Sequence, residues 1–370
     1  MIHSAPTDRL LTLNDARERE ALAKIARVRA APKRFRDERI TMAHGAGGKA
    51  TAALVSGLIA PAFASPALAP LDDAGLITID GAELALTTDS FVVRPLRFPG
   101  GSIGELAVNG TVNDLAMVGA RPLALTLSLV LEEGLDAEIL RAEIEACARA
   151  ARAAHVEIIA GDTKVVERGH ADGMYVCTTG IGRRDPRARL SPASLAPGDR
   201  VLVSRSIGEH GMAIMLARGE FELDSEIVSD TRPLWPAADA LLALGDRLRC
   251  MRDATRGGVA TVLNELAVAS GVTIAVNEAN VPVTPEVAGA CELLGIDPMY
   301  VANEGTLVAA VAAEAADEAL ALLRAVSGAE GAAIVGEVSA DETGMVIVNT
   351  AFGGRRVMDM LVGDPLPRIC

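Results

Sequence analysis

The stretch that most restricts the fold runs from residue 123 to residue 160. Residues 123–131 are a strongly apolar run of strand length. Residues 136–154 then place Ile139, Leu140, Ile144 and Cys147 at three- and four-residue spacing, which gives a helix one apolar face. Residues 156–160 return to an apolar strand pattern, and residues 173–182 repeat it. Strands alternating with helices in this way define an α/β chain built in layers.

Around this stretch the chain divides into four parts. Residues 1–38 are a polar extension, with a helix expected from Asn14-Asp15 to about Val28 and a basic patch at Pro32-Lys33-Arg34-Phe35-Arg36. Residues 39–190 form a first α/β domain. Within it, Leu76-Ile77-Thr78-Ile79 and Leu84-Ala85-Leu86-Thr87-Thr88 flank Asp80-Gly81, a hairpin signal. Residues 102–119 read as a helix. Residues 191–350 form a second domain, with strands at 200–204, 272–276, 307–312, 332–338 and 345–348 and helices at 207–218, 234–248, 259–270, 288–294 and 314–326. Residues 351–370 are a C-terminal strand and tail that end Pro367-Arg368-Ile369-Cys370. Prolines at 365 and 367 keep that tail from continuing a helix. By itself it reads either as a frayed end or as an extended arm with a thiol at its tip.

Composition narrows the function. The formal net charge is −14, which disfavours a nucleic-acid or anionic-membrane surface. No apolar run approaches the ~20 residues that cross a bilayer. Aromatic residues make up 2% of the chain, so base-stacking platforms are not expected. The five cysteines are odd in number and none is spaced C-x-x-C; with no apolar secretory segment at the start, a reduced cytoplasm is expected and a zinc site is not.

Chemistry concentrates at the edges of elements. Met42-Ala43-His44-Gly45-Ala46-Gly47-Gly48-Lys49 is a glycine-rich loop leading into a helix. It suits close approach to phosphate oxygens, although its spacing is not that of a Walker loop and a plain turn is equally consistent. Asp72, Asp73, Asp89, Asp114, Asp162 and Asp253 all fall at the expected ends of elements. One such aspartate is ordinarily a cap; six together suit magnesium, which takes hard oxygens and keeps part of its water. Lys164 and Arg256 are cations suited to a transferring phosphoryl group, and Glu304 is a carboxylate that burial could tune as a base. Each also has a plain reading, as a surface charge or a cap.

These motifs, in this order, resemble the aminoimidazole ribonucleotide synthetase-like (PurM-like) superfamily of ATP-dependent enzymes, over about residues 40–370. The relevant strings are Asp72-Asp73-Ala74-Gly75, Thr87-Thr88-Asp89-Ser90, Val112-Asn113-Asp114-Leu115-Ala116, Ala160-Gly161-Asp162-Thr163-Lys164, Asp253-Ala254-Thr255-Arg256-Gly257-Gly258 and Asn303-Glu304-Gly305. The terminal Pro-Arg-Ile-Cys narrows the resemblance to the hydrogenase-maturation carbamoyl dehydratases of that superfamily.

The resemblance implies a two-domain fold that dimerises by pairing its N-terminal sheets. It implies that Cys370 accepts a carbamoyl group from the carbamoyltransferase HypF. ATP then drives dehydration to a thiocyanate, and the cyanide passes to iron on a HypC–HypD scaffold. It assigns Cys370, Lys164 and Glu304 to catalysis, and Asp72, Asp73, Asp89, Asp114, Asp162 and Asp253 to magnesium. His44, Gly45, Gly47, Gly48, Asn113, Thr163, Thr255, Arg256 and Gly257 fall to ATP and its phosphates. The alternatives are a sister kinase or synthetase of the selenophosphate synthetase or thiamine monophosphate kinase type, acting on a free small molecule, and a non-catalytic scaffold.

Overall fold

The computed structural model describes residues 24, 35–219, 226–341, 344–363 and 368–370. The helix expected over 14–28 therefore lies outside the described residues except at Lys24, and Pro365 and Pro367 lie outside them altogether.

The first sheet has the order β1-β2-β5-β3-β4. Its strands are β1 (Gly75–Ile79), β2 (Ala82–Phe91), β3 (Ala120–Glu132), β4 (Glu157–Val166) and β5 (Met174–Arg184). The hairpin expected at Asp80-Gly81 is present: Ile79 pairs with Ala82, and both turn residues have positive φ, as a two-residue turn requires. Ahead of this sheet, a 3-10 turn (Met42–Gly45) leads into the short helix α1 (Lys49–Leu54). Helix α2 (Ile103–Met117) packs across β2, β3 and β5 and is buried along nearly its whole length. Helix α3 (Ala137–Ala153) is capped by the Asp136 carboxylate and connects β3 to β4, which pair in parallel.

Among the described residues, helices cover one face of this sheet. Along β5, buried and half-buried residues alternate, as they do in a strand with one face packed and one open. Exposed Ile77, Ile79, Leu86, Leu123, Ile158, Ile159 and Val165 belong to this sheet.

The second sheet has seven strands in the order β12-β11-β8-β10-β6-β9-β7. They are β6 (Arg200–Val203), β7 (Leu248–Asp253), β8 (Thr273–Asn277), β9 (Leu307–Val311), β10 (Ala333–Ser339), β11 (Val346–Asn349) and β12 (Arg355–Met358). Its helices are α4 (Glu209–Ala217), α5 (Trp235–Leu242), α6 (Gly258–Ser270), α7 (Pro285–Leu294) and α8 (Ala316–Arg324). Aliphatic clusters lie on both sides of it. One is built on α6 with Val201, Ile274 and Val308; the other is built on α5 and α8 with Leu202, Leu307 and Ala309.

Two elements differ from the sequence expectation. The helix expected over 234–248 stops at Leu242, and Leu248 opens strand β7 instead. Strand β4 runs on through Asp162 and Lys164 to Val166, so these residues are inside a strand and not beyond its end. Strand β12 falls within the C-terminal strand and tail expected over 351–370.

Candidate active site

Five carboxylates feel one another's charge between the sheets, Asp253 and Glu304 buried and Asp73, Asp89 and Asp114 half-buried. Asp73 precedes β1, Asp89 is on β2, Asp114 is on α2, Asp253 ends β7 and Glu304 precedes β9. The carboxyls of all five are pushed up, in each case chiefly by burial. Mutual repulsion adds to it. Asp114 feels Asp253, Asp89 and Asp73; Glu304 feels Asp253 and Asp89; Asp73 feels Asp253. Asp253 rises to about 6. Thr87 Oγ1 donates to Asp114 Oδ2 at 2.7 Å, and Arg252 Nη1 donates to Asp73 Oδ1 at 2.6 Å. Asp73 Oδ2 is buried with no hydrogen-bond partner among the described residues.

Such a donor set fits a hard divalent cation: oxygen only, partly unsatisfied and strained by like charge. Among the described residues no group of three His, Cys, Asp or Glu is arranged to hold a metal ion. Asp72 lies at the rim, with Oδ1 3.5 Å from Arg252 Nη2.

Arg256 is a second cation of this space, beside Arg252. Its guanidinium is pushed up first by the charge at Cys370 and, against burial, by Asp89, Glu304 and Asp114. Its Nη1 donates to Gly45 O at 2.8 Å, which anchors the glycine-rich loop. The glycines there serve close backbone packing. A Cβ on Gly47 would come within 2.7 Å of Arg256 O, and one on Gly48 within 2.5 Å of Leu361 O. Gly257 adopts a positive φ just before α6. Thr255 O accepts from Gly258 N at 2.9 Å.

Two residues expected at phosphates are engaged by protein groups. His44 Nδ1 accepts from Thr41 N at 3.0 Å, and Nε2 lies 2.9 Å from Asp37 Oδ2, so the ring braces its own loop. Asn113 accepts from Leu234 N at 2.7 Å and donates to Arg232 O and Glu304 O at 3.0 and 3.3 Å. It fixes the backbone that carries Glu304.

Cys370 faces inward. With His44, Arg256, Gly257, Tyr300 and Val92 it lines a cavity of about 360 Å³. Lys164, Asp162 and Thr163 are elsewhere in the same chain. The register runs Asp89 to Thr178, Thr178 to Leu127 and Leu127 to Gly161, three strand spacings, or about 14 Å. Lys164 Nζ instead donates to Asp162 Oδ2 at 2.7 Å on an exposed edge strand.

Sequence reasoning missed His210, Ser229 and Asp230. His210 is wholly buried, and its Nε2 lies 2.7 Å from Ile369 O. Asp230 accepts from Glu304 N and Gly305 N at 2.9 and 3.0 Å. No local motif marks the links that matter, because Ile369 lies 159 positions from His210 and Glu304 lies 74 positions from Asp230.

A chain with two large sheets, an acidic cleft and a docked terminal cysteine can now be placed. Residues 71–184 match the N-terminal domain of AIR synthase related protein, and residues 196–349 match its C-terminal domain. The chain is therefore an AIR synthase related protein. Within that class it belongs to the carbamoyl dehydratase HypE family. It is 47% identical over 339 residues to carbamoyl dehydratase HypE of Rhodobacter capsulatus, covering 91% of this chain and 99% of that protein. It is 43% identical over 336 residues to the Escherichia coli HypE, covering 90% and 99%.

A solved HypE–HypF complex matches with TM-score 0.79 at 44% identity, over 83% of this chain and 99% of the other. A HypE structure in complex with ATP matches with TM-score 0.75 at 43% identity, over 90% and 100%. A thiamine monophosphate kinase of Aquifex aeolicus matches at 20% identity with TM-score 0.61, over 81% and 96%; that likeness shows the fold alone.

Proposed function

We propose that this chain is an ATP-dependent carbamoyl dehydratase acting on a carbamoyl group carried by its own Cys370. The observation that supports this most directly is the docked tail: Cys370 lines the cavity of about 360 Å³ together with Arg256, whose guanidinium Asp89, Glu304 and Asp114 push up.

The chemistry balances as follows. The amide oxygen of the Cys370 thiocarboxamide attacks the γ-phosphorus of ATP, and ADP leaves. The nitrogen gives up one proton, leaving an S–C(=N–H)–O–phosphate group. Loss of the second N–H proton expels phosphate and leaves S–C≡N. The sum is thiocarboxamide plus ATP to thiocyanate, ADP, phosphate and one proton.

Each residue has a task in this scheme. Arg256 offsets charge between the transferring phosphoryl group and the tail. Glu304 accepts protons; burial raises its affinity for them. Asp73, Asp89, Asp114 and Asp253 would hold magnesium, with Asp72 at the rim, and the ion would neutralise phosphate charge.

Lys164, with Asp162 and Thr163, serves the site from a second copy of the chain. The support is the open apolar face of the first sheet, its unpaired edge at β4, and the distance of Lys164 from Asp89 within one chain. HypF loads the cysteine, and a HypC–HypD scaffold receives the cyanide. Among the described residues no helix is long and apolar enough to cross a membrane, and no cysteine forms a disulfide; we place the protein in the cytoplasm.

Intact mass after incubation with HypF, carbamoyl phosphate and ATP tests the proposal. The chain gains a carbamoyl group and then loses the mass of one water. Cys370→Ala takes up no carbamoyl group while still binding ATP. Persistent loading of that variant by HypF would sink the assignment.

A further inference from the structure

The end of the tail is held by groups that the proposed reaction does not consume. All three of its last carbonyls are engaged. Arg368 O accepts from Arg94 N at 3.2 Å and from Arg218 Nη2 at 2.8 Å. Cys370 O accepts from Val92 N at 3.1 Å. Between them, Ile369 O lies 2.7 Å from His210 Nε2. A carbonyl can only accept, so Nε2 carries the proton. Nδ1 of the neutral ring then accepts from Ser229 Oγ, 2.8 Å away. Burial holds the imidazole pKa down, in keeping with a neutral ring. Phe98 packs edge-on against it, with centroids 5.6 Å apart.

The strap that begins at Ser229 leads to the proposed base. Ser229 Oγ also accepts from Thr231 N at 3.2 Å. The next side chain, Asp230, takes Glu304 N, Gly305 N and Thr306 Oγ1 at 2.9, 3.0 and 2.9 Å. Backbone contact there leaves no room for adjustment: a Cβ on Gly305 would fall 1.9 Å from Asp230 O. Asn113 closes the strap by binding Arg232 O, Leu234 N and Glu304 O. Tail, histidine, strap and Glu304 backbone are one connected hydrogen-bonded body.

We propose that His210 is a positioning residue that latches the docked tail and, through Ser229 and Asp230, ties docking to the placement of Glu304. The latch reads main chain only, so it grips the tail whether Cys370 carries a free thiol, a carbamoyl group or a cyano group. This inference rests on the dehydratase reading for its second half only; the grip on the tail is testable without any carbamoyl chemistry.

The first measurement is the rate of alkylation of Cys370, read by peptide mass. Cys147, Cys250 and Cys291 are buried, with thiols pushed up to about 12, 12 and 11, and they report unfolding. His210→Ala should raise Cys370 modification at least tenfold and leave those three silent. His210→Gln, which keeps an N–H donor, should restore most of the protection. Should His210→Ala open the buried thiols, Ser229→Ala with His210→Gln carries the same comparison. Unchanged Cys370 reactivity in a folded His210→Ala or Ser229→Ala chain overturns the latch.

The second measurement is single-turnover dehydration of the carbamoylated full-length chain. His210→Ala should lower the rate at least tenfold, with loading by HypF and the KM for ATP unchanged. Asp230→Asn should lower the rate likewise while Cys370 reactivity stays at the wild-type level. Wild-type dehydration rates in both variants overturn the tie to Glu304. A wild-type chain that HypF cannot load would refute the dehydratase reading and leave the alkylation result standing.

Discussion

Asp253 shows how the site stores electrostatic cost at a single residue. Its carboxyl rises from near 4 to about 6, chiefly because it is buried. Between those values the folded chain binds more protons than the unfolded chain, so stability falls as pH rises through that window. Asp73, Asp89, Asp114 and Glu304 are raised as well and act with the same sign. The ligand-free chain should therefore melt higher near pH 5 than near pH 7.5. Asp253→Asn should raise the ligand-free melting temperature at pH 7.5 by about 2–4 °C per kcal/mol relieved. It should also flatten the pH dependence and abolish the stabilisation expected of the wild-type chain on adding magnesium and ATP. Calorimetric scans at the two pH values decide it; a melting temperature that rises with pH contradicts the cluster's sign. The residue types in this cluster are legible in the sequence, since aspartates after apolar strands are visible as such. Their convergence is not, because it depends on how two sheets face one another. The same holds for His210, an unremarkable histidine until the fold brings residue 369 to it.

Elements were legible where periodicity was clean and obscured where a glycine or a continuing apolar rhythm intervened. The hairpin at Asp80-Gly81 and helix α3 follow directly from their patterns. Strand β7 was hidden because Leu241, Leu242, Leu244 and Leu248 prolong the apolar spacing of α5 beyond its true end. Strand β4 looked finished at Gly161-Asp162, a turn-like pair. In the fold, Gly161 marks close backbone approach instead: a Cβ there would meet Leu127 O at 2.3 Å. The strand goes on to Val166 at the free edge of the sheet. An edge carrying Ile159 at 63% exposure and Val165 at 67% invites a partner strand. Ile159→Lys with Val165→Glu should therefore dissociate the proposed dimer in light scattering. The melting temperature of each chain should hardly move, because both side chains are already exposed within one protomer. A wild-type chain that is monomeric, or a variant that stays dimeric, would remove β4 from the interface.

At the scale of the whole molecule, the proposed division of labour between two copies has a consequence that a single chain cannot mimic. Each chain carries its own tail, carboxylates, Arg256 and Glu304 on one side of the first sheet, and Lys164 on the far edge strand. If Lys164 acts across the interface, Cys370→Ala and Lys164→Ala damage different halves of one site. The first removes the carrier; the second removes a cation from the neighbour's site. Each variant alone should show little or no dehydration. Mixed dimers should recover it, because the intact tail of the Lys164→Ala chain meets the intact Lys164 of the Cys370→Ala chain. Random mixing makes about half of the dimers mixed, each with one productive site of two, so about a quarter of wild-type turnover should return. Lys164 acting within its own chain predicts no recovery, since the chain with a tail then lacks its lysine. Co-expression with two affinity tags, tandem purification and intact mass of each chain separate the outcomes. Only the Lys164→Ala chain should carry the cyano group. Its appearance there would require two copies to build one reaction centre.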